Sequence, residues 1–338
     1  MHRLARCMGA DDKTEEGEEM EIGFGLPTRG PLSSPDHLVT LARRGEEMGF
    51  NIISVSDHVV IPRSIESRYP YSETGAFAGG DSGACLEQLT TLSFLANATS
   101  SARLLTSVMV LPHRSPVLTA KMLASIDVLS NGRLNVGCGV GWMREEFEAI
   151  GAPPYDERGA VGDEYIRAFK ELWTSENPSF DGKYCRFADI SFSPKPVQQP
   201  HPPIWVGGES PPALRRAARL GDVWYPIGNN PRYTVGTPAD YQASVTRLRR
   251  SAEAAGRDAS TIGLAYSASW LNDREAQTLP NGERRLLTGT PDQVAGDIKA
   301  FADIGVRHFM FNFQSDTLEE TLARMERFAT TVRPRVES

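Results

Sequence analysis

Short apolar runs recur along this chain, separated by segments whose apolar residues follow a helical spacing. Eight runs have the length and the content of branched and aromatic residues that predict β-strands. They cover residues 21–26, 51–56, 103–110, 133–138, 203–207, 222–226, 261–267 and 307–312. Between them, amphipathic segments that begin with proline predict helices, for example at residues 35–48, 116–130, 211–220 and 291–304. Strands that alternate with helices in this way predict an α/β fold with a parallel sheet.

The number of strands distinguishes between two parallel architectures. Eight strands in unbroken alternation favour a (β/α)8 TIM barrel, and a doubly wound open sheet is the alternative. We predict a single barrel domain over residues 20–335 and a disordered extension over residues 1–19, which lack the apolar stretch of a signal peptide. A short hairpin is predicted within residues 176–196. Glycines just before four strands predict left-handed helix ends: Gly49, Gly132, Gly221 and Gly305.

The connections after the second, fifth, sixth and seventh predicted strands are long and rich in proline, glycine and aromatic residues. Examples are residues 61–83, 224–238 and 271–289. Barrel enzymes build their sites from the loops that follow the strands. We therefore predict insertions in the loops of the C-terminal face, with surface decoration or oligomer contacts as the alternative.

Polar residues follow two of the predicted strands. Asp57 and His58 come directly after the second strand. A histidine can take or give a proton near neutral pH, and a neighbouring carboxylate can fix its tautomer. The alternative is that Asp57 only caps the loop. His113 and Arg114 follow the third strand, where they either point into a site or lie in a solvated loop with Arg114 in a salt bridge.

Two glycine-containing loops are candidate binding elements. The first, GCGVGWMREEF at residues 137–147, has the spacing G-x-G-x-G, which argues against a nicotinamide fingerprint; such glycines also let a strand end lie close to another backbone. The second, IWVGGES at residues 204–210, precedes a helix that starts with two prolines. Here the backbone N–H groups of Gly208, Glu209 and Ser210 are candidate phosphate ligands, and a simple serine N-cap is the alternative.

Charge and cysteine content narrow the class of protein. The chain has 338 residues, a net charge of −7 and a pI of about 5.5, which disfavours a nucleic-acid or anionic-membrane partner. No apolar run is long enough to span a membrane. The four cysteines lack the spacing of a metal site or a disulfide framework and indicate reduced thiols in the cytoplasm. We expect a cytoplasmic protein without a bound metal.

Three stretches together resemble the bacterial luciferase-like superfamily: SDH at residues 56–58, and residues 106–151 and 194–210. The resemblance extends from about residue 20 to residue 335. It implies a (β/α)8 barrel that binds FMN or the deazaflavin coenzyme F420 at its C-terminal face. It also implies that Ser107 and Val108 form a bulge with a non-prolyl cis peptide behind the isoalloxazine ring, and that Asp57 and His58 lie beside the reactive ring.

The same resemblance implies further cofactor contacts. Residues 207–210, which are Gly207, Gly208, Glu209 and Ser210, match the phosphate-binding loop. The glycine loop is expected to let the cofactor tail pass close to backbone, with Glu145 and Glu146 on the helix behind it. The loop residues concerned are Gly139, Val140 and Gly141.

Two positions bear on the cofactor and the substrate. Val140 stands where FMN-using members often carry an arginine that neutralises the phosphate, and the deazaflavin branch typically has a small neutral residue there. Trp142 replaces the acidic residue of the branch's sugar-phosphate dehydrogenase, so this sugar phosphate is not the expected substrate. The resemblance therefore implies an F420-dependent oxidoreductase that transfers hydride between the deazaflavin and a small organic substrate, with His58 as the proton-transferring residue.

Two alternatives remain open. One is a two-component FMN monooxygenase that takes reduced flavin from a partner reductase, with Arg114 or another basic residue replacing the missing arginine. The other is a flavin-binding protein without turnover. In either enzyme the substrate side is expected to be walled by Tyr69, Tyr71, Phe77, His113, Trp142 and Trp224, and a homodimer is expected.

Overall fold

The computed structural model describes residues 20–77 and 83–337, so the predicted extension over residues 1–19 lies outside it. The strands are β1 Glu21–Leu26, β2 Ile52–Val55, β3 Arg103–Thr106, β4 Met109–Val110, β5 Leu134–Gly139, β6 Phe180–Asp181, β7 Arg186–Phe187, β8 Ile204–Gly207, β9 Val223–Tyr225, β10 Gly263–Ala268 and β11 Val306–Phe311. The helices are α1 Pro35–Glu47, α2 Gln88–Ala98, α3 Pro116–Leu129, α4 Arg144–Ala149, α5 Arg158–Thr174, α6 Pro211–Leu220, α7 Pro238–Ala254, α8 Pro291–Ala302, α9 Leu318–Arg327 and α10 Arg333–Glu337.

Eight parallel strands form a closed barrel. The sheet runs in the order β3–β2–β1–β11–β10–β9–β8–β5, and β3 also pairs with β5, which closes the ring. All of these pairings are parallel. The predicted (β/α)8 TIM barrel is therefore confirmed, and the open-sheet alternative is wrong. Because parallel strands all end at the same edge, the residues that follow them gather on one face.

The predicted third strand is interrupted at the point that the resemblance indicated. The peptide bond between Ser107 and Val108 is cis, and it separates β3 from the two-residue strand β4, which pairs with the end of β5. The predicted non-prolyl cis bulge is thus confirmed. It places Ser107 and Val108 at the top of the barrel rather than within a continuous strand.

Apolar side chains fill both the barrel and the layer around it. The interior holds Ile52, Leu105, Trp205, Val223, Tyr225, Ala265 and Met310, with Val108 packed on top. Within β9, Val223 and Tyr225 point inwards, so the residue between them, Trp224, points outwards. Trp224 is fully buried against Tyr241 of α7, and its indole N–H donates to the Gly208 carbonyl. The prediction that Trp224 lines the substrate pocket is therefore wrong.

The alternating glycines of β5 make room for the bulge. A Cβ on Gly137 would lie 1.9 Å from the Thr106 carbonyl oxygen, and one on Gly139 would lie 2.5 Å from a Val108 methyl. At Gly141, which has a φ of +80°, a Cβ would meet the Phe147 ring at 2.7 Å. The space beside these glycines is filled by the protein's own atoms. Close approach to backbone is therefore the reason for Gly137, while passage of a cofactor tail along the partly exposed Gly139, Val140 and Gly141 stays a prediction.

Replacing Gly137 with alanine should therefore strongly destabilise the barrel. The new methyl group would displace the backbone carbonyl of Thr106, and overpacking of a rigid core costs about 3 kcal/mol. Guanidinium denaturation measures the change in the free energy of unfolding. Gly296→Ala is the matched control, because a Cβ there meets nothing within 4 Å and alanine should stabilise α8 by up to about 1 kcal/mol. Equal stabilities for the two variants would contradict the steric account.

Three smaller expectations have mixed outcomes. The hairpin predicted in residues 176–196 is present, because β6 and β7 pair antiparallel. The loop after the fifth predicted strand is not long, because only residues 208–210 separate β8 from α6. Gly221 has a φ of −89° and is not left-handed; a Cβ there would lie 2.7 Å from a Val206 methyl, so the residue serves close packing instead.

Candidate active site

His58 is held by a carboxylate from a different element. Its Nδ1 lies 2.8 Å from Oε2 of Glu146 in α4, whose other oxygen accepts the backbone N–H of Val59 at 2.7 Å. Because a carboxylate accepts, Nδ1 carries the hydrogen of the neutral ring and Nε2 is left for proton transfer. Burial raises the pKa of Glu146, but the hydrogen bonds from His58 and from the Val59 N–H counter this, and that pKa lies below its usual value.

Asp57 does not accompany His58 towards a ligand. Its side chain is fully buried, and its carboxylate accepts two hydrogen bonds from Arg114 at 2.7 and 2.8 Å and one from the backbone N–H of Val110. Arg114 also binds Glu87 at 2.7 Å. The prediction that Asp57 is catalytic and touches the cofactor is therefore wrong: it ties the end of β2 to β4. Arg114 is bound on both sides and is not available to replace a phosphate-binding arginine.

His113 lies behind the site rather than in its wall. Its side chain is 2% exposed, with Nδ1 at 3.8 Å from Oε1 of Glu146 and the ring edge-on to Phe147. Neither ring nitrogen has a hydrogen-bond partner among the described residues, and burial lowers the pKa of His113. The neutral ring packs against Glu146 from the side opposite His58. The prediction that His113 lines the substrate pocket is wrong.

Four of the predicted wall residues do come together beside His58. Phe77 lies 5.3 Å from the His58 ring and 5.3 Å from Trp142, and Tyr69 contacts Phe77 at 5.4 Å and Trp142 at 5.1 Å, all between ring centroids. Tyr71 packs against Tyr69 at 5.6 Å. This aromatic cluster, defined as Tyr69, Tyr71, Phe77 and Trp142, joins the loop after β2 to the loop after β5. Phe77 is the member of this cluster that contacts the His58 ring.

Glu145 fastens the same loop at a second point. One carboxylate oxygen accepts the backbone N–H groups of Glu66 and Ser67 at 2.7 and 2.9 Å. Burial raises the pKa of Glu145, but these hydrogen bonds outweigh it and lower the pKa to about 2. The resemblance predicts that Glu145 touches the cofactor, but the structure shows it holding the loop after β2 against the start of α4.

Replacing Glu145 with glutamine should loosen this loop. Loss of two charge-assisted hydrogen bonds is expected to speed amide exchange at Glu66 and Ser67 about tenfold, which corresponds to about 1.4 kcal/mol. Because the pKa is lowered, the difference from the parent protein should be complete above pH 4.5 and should shrink as the pH falls towards about 2. Hydrogen exchange by mass spectrometry is the measurement, with the exposed Glu148→Gln on the same helix as control. Unchanged exchange at both amides would refute the anchoring role.

The side chains of the predicted phosphate loop are engaged within the protein. The Ser210 hydroxyl accepts the backbone N–H of Ala213 and caps α6, whose first two residues are prolines without an N–H. Both Glu209 oxygens accept hydrogen bonds from the loop after β9, from the Ile227 N–H and the Asn230 amide. Burial raises the pKa of Glu209 to about 7. A cofactor contact by the Glu209 side chain is therefore wrong, and the alternative of a serine N-cap is confirmed. Phosphate binding by Gly207 and by the backbone N–H groups of Gly208, Glu209 and Ser210 stays a prediction.

Val140 and Arg158 both lie at the glycine loop that follows β5. A Cβ on Gly162 in α5 would lie 2.8 Å from a Val140 methyl, so Val140 packs on that helix. The Arg158 guanidinium lies 4.0 Å from the Tyr155 ring centroid and donates to the Gly141 carbonyl at 3.3 Å. The sequence analysis did not single out Arg158, because it lies outside the glycine motif. It is a basic residue beside the loop in which Val140 replaces an arginine.

Comparison with known proteins identifies the family. The model of the family described as luciferase-like monooxygenase matches residues 20–279. The chain belongs to this family. Among the described residues, 20–77 and 83–337, no helix is long and apolar enough to cross a membrane, and no three metal-ligating side chains are grouped to hold an ion.

Relatives and solved structures in this family use both cofactors. The uncharacterized protein Rv0953c of Mycobacterium tuberculosis is 31% identical over 78% of this chain and 90% of its own length. The FMNH2-dependent dimethylsulfone monooxygenase of Pseudomonas fluorescens is 39% identical over 62% of this chain and 68% of its own length. An F420-dependent secondary alcohol dehydrogenase, solved with an F420–acetone adduct, superposes with a TM-score of 0.73 at 19% identity, covering 95% of this chain and all of its own. That last likeness shows the fold alone.

Proposed function

We propose that this luciferase-like protein is an F420-dependent oxidoreductase that transfers hydride between the deazaflavin and a small organic substrate. The observation that carries the proposal is the neutral residue Val140, packed on α5 where FMN-using members often hold an arginine. Arg114 does not compensate, because Asp57 and Glu87 occupy its guanidinium. A doubly charged FMN phosphate would lack its usual bidentate partner there.

The top of the barrel fits a flat tricyclic ring. Val108 caps the interior with a half-buried side chain, and glycines stand on both sides of it, since a Cβ on Gly139 or Gly207 would lie 2.5 or 2.9 Å from its methyl groups. Ser107 and Tyr225 hydrogen-bond to each other at 3.0 Å beside it. In this proposal Val108 backs the ring and Ser107 borders it. When bound, F420 supplies a carbon that accepts or donates hydride.

In this proposal the protein itself exchanges a proton with the substrate and excludes water from the site. Glu146 fixes the tautomer of His58, so that Nε2 exchanges the proton that accompanies hydride transfer. The aromatic cluster excludes water around His58, which strengthens the electrostatic interactions inside the site. One buried polar atom close to the aromatic cluster, the side-chain amide oxygen of Asn229, has no partner among the described residues, while the amide nitrogen of the same side chain donates to the Tyr71 carbonyl at 2.9 Å. In this proposal that oxygen orients the substrate.

A second candidate is a two-component FMN monooxygenase with a partner reductase. The observation that favours it is the position of Arg158, whose guanidinium donates to the Gly141 carbonyl. From this position Arg158 is the basic residue suited to replace the missing arginine as the phosphate ligand. The FMNH2-dependent activity of the dimethylsulfone monooxygenase of Pseudomonas fluorescens also points this way. In that case the Arg158 side chain would leave the Gly141 carbonyl to bind the phosphate.

Titration of the purified apoprotein distinguishes the two candidates. F420, oxidised FMN and FMNH2 are added separately, and binding is followed by fluorescence or, for FMNH2, by anaerobic calorimetry. Tight binding of F420 with weak binding of both flavins is the expected result. Preference for FMNH2, lost in Arg158→Ala, would overturn the proposal in favour of the monooxygenase. A homodimer is part of the proposal, and sedimentation velocity tests it in the same samples.

A further inference from the structure

A cavity opens on the C-terminal face, between the ends of β10 and β11. It has a volume of about 460 Å³, which is within the range of ligand sites. The loop after β10 forms one side and the start of α9 forms the other. Its lining is mostly polar, with Asn272, Asn312, Gln314 and Ser315 beside four charged side chains.

The charged groups in this lining balance one another and make contacts within the protein. Arg274 faces Glu320 at 3.9 Å, and Asp273 lies 3.1 Å from Arg327. Arg324 donates to the backbone carbonyls of Gln314 and Leu271 at 2.8 and 3.1 Å. Two acidic and two basic side chains line the cavity, so the lining has no net charge that would select an anion or a cation.

The uncharged polar side chains of the cavity remain available to bind a ligand. The side-chain oxygens of Asn272 and Asn312 accept backbone N–H groups of their own loops, so their amide nitrogens remain as donors. Gln314 adds an exposed amide and Ser315 a hydroxyl. Groups that both donate and accept match the hydroxyls of a sugar or polyol, which do the same.

Trp270 lies between this cavity and the loop after β9. Its indole N–H donates to the Leu286 carbonyl at 2.8 Å, and Arg285 stacks on its ring at 4.1 Å, so the ring is rigidly held. A Cβ on Gly228, in the loop after β9, would meet the far edge of this ring at 2.9 Å. The ring therefore gives the polar cavity one rigid apolar wall.

We propose that this polar cavity binds a neutral, hydroxyl-rich group, such as a glycosyl or polyol unit, carried by the substrate. That the ligand is the substrate rests on the proposed function, whereas the binding of such a group does not. The polar cavity would select substrates with this group, while the reacting carbon lies at the mouth near His58. Phosphorylated and amino sugars are disfavoured, because the two acidic and two basic side chains of the lining leave no net charge to meet theirs.

Ligand-observed saturation-transfer NMR on the apoprotein tests the proposal. The probes are methyl β-D-glucoside, glucose 6-phosphate and glucosamine. We expect saturation transfer to the neutral glucoside only, an affinity about threefold to tenfold weaker in Gln314→Ala through loss of one hydrogen-bonding group, and no binding in Gln314→Trp, which fills the cavity. Gln242→Trp, at an exposed position on α7, is the matched control and should bind as the parent does.

The outcomes separate this proposal from the proposed function. No transfer to the glucoside, undiminished binding in a folded Gln314→Trp variant, or preference for a charged probe would overturn the polar-cavity proposal. Thermal melting establishes that each variant is folded, and Gln314→Ala serves if the tryptophan variant is not. Glucoside binding by a protein that takes up no F420 would support the cavity and refute the F420-dependent function.

Discussion

Replacing His58 with glutamine should lower the rate of hydride transfer about 10²- to 10⁴-fold and leave F420 binding unchanged. This is the usual contribution of a positioned proton-transferring residue. Glutamine is close in size, and its amide N–H can still donate to Glu146, which accepts from His58 Nδ1 at 2.8 Å. It has no group that exchanges a proton at neutral pH. Stopped-flow oxidation of reduced F420, with the best acceptor from a screen of enones, ketones and imines, measures the rate.

The control is His37→Gln on α1, where the ring only hydrogen-bonds the Pro31 carbonyl. It should leave both rate and binding unchanged. Three results are informative for His58→Gln. A full rate would remove His58 from the chemistry. Loss of F420 binding would make it a binding residue. If the parent protein and the variant both bind F420 and neither turns over a substrate, the result would support a protein that holds the cofactor without catalysis.

The fold could be predicted because element count and alternation suffice for a parallel barrel. Two details could not be read from the apolar pattern. In β9, Val223, Trp224 and Tyr225 are all apolar, and a strand of a parallel barrel is buried on both faces. No period of two therefore tells which side chain faces inwards, and Trp224 was misplaced. The break at Ser107 and Val108 was indicated only by the resemblance, since apolar residues continue on both sides of it.

Several residues of the site could be predicted from the sequence, but not which of them contact each other. Asp57 and His58 are adjacent, and successive side chains of an extended segment point in opposite directions. Asp57 therefore turns to Arg114, while His58 turns to the opposite side and to Glu146, which is 88 positions away in the sequence. The signal for Glu146 was present, because two glutamates open the helix that follows a glycine-rich strand end. The groups that these glutamates bind are the backbone N–H groups of the loop after β2 and the ring of His58. Only the tertiary structure brings these groups together.

Removing the negative charge of Glu146 should disable His58 without removing it. In Glu146→Gln, the amide oxygen is expected to keep the position that accepts the Val59 N–H at 2.7 Å. The amide nitrogen then faces His58 Nδ1 and donates to it, so the ring hydrogen moves to Nε2. A comparable loss of the correct tautomer in a serine protease lowers turnover about 10⁴-fold. Here we expect a loss of about 10²-fold or more in kcat, with little change in F420 binding.

Two-dimensional ¹⁵N NMR of the imidazole nitrogens reads the tautomer directly. The parent protein should show hydrogen on Nδ1 of His58, and Glu146→Gln should show it on Nε2. Glu148→Gln, at an exposed position on the same short helix, should change neither the tautomer nor kcat. A structural role alone would lower stability and leave the tautomer as it is, whereas a positioning role moves the tautomer and kcat together. An unchanged tautomer with an unchanged kcat would show that Glu146 serves only to hold the backbone of the loop after β2.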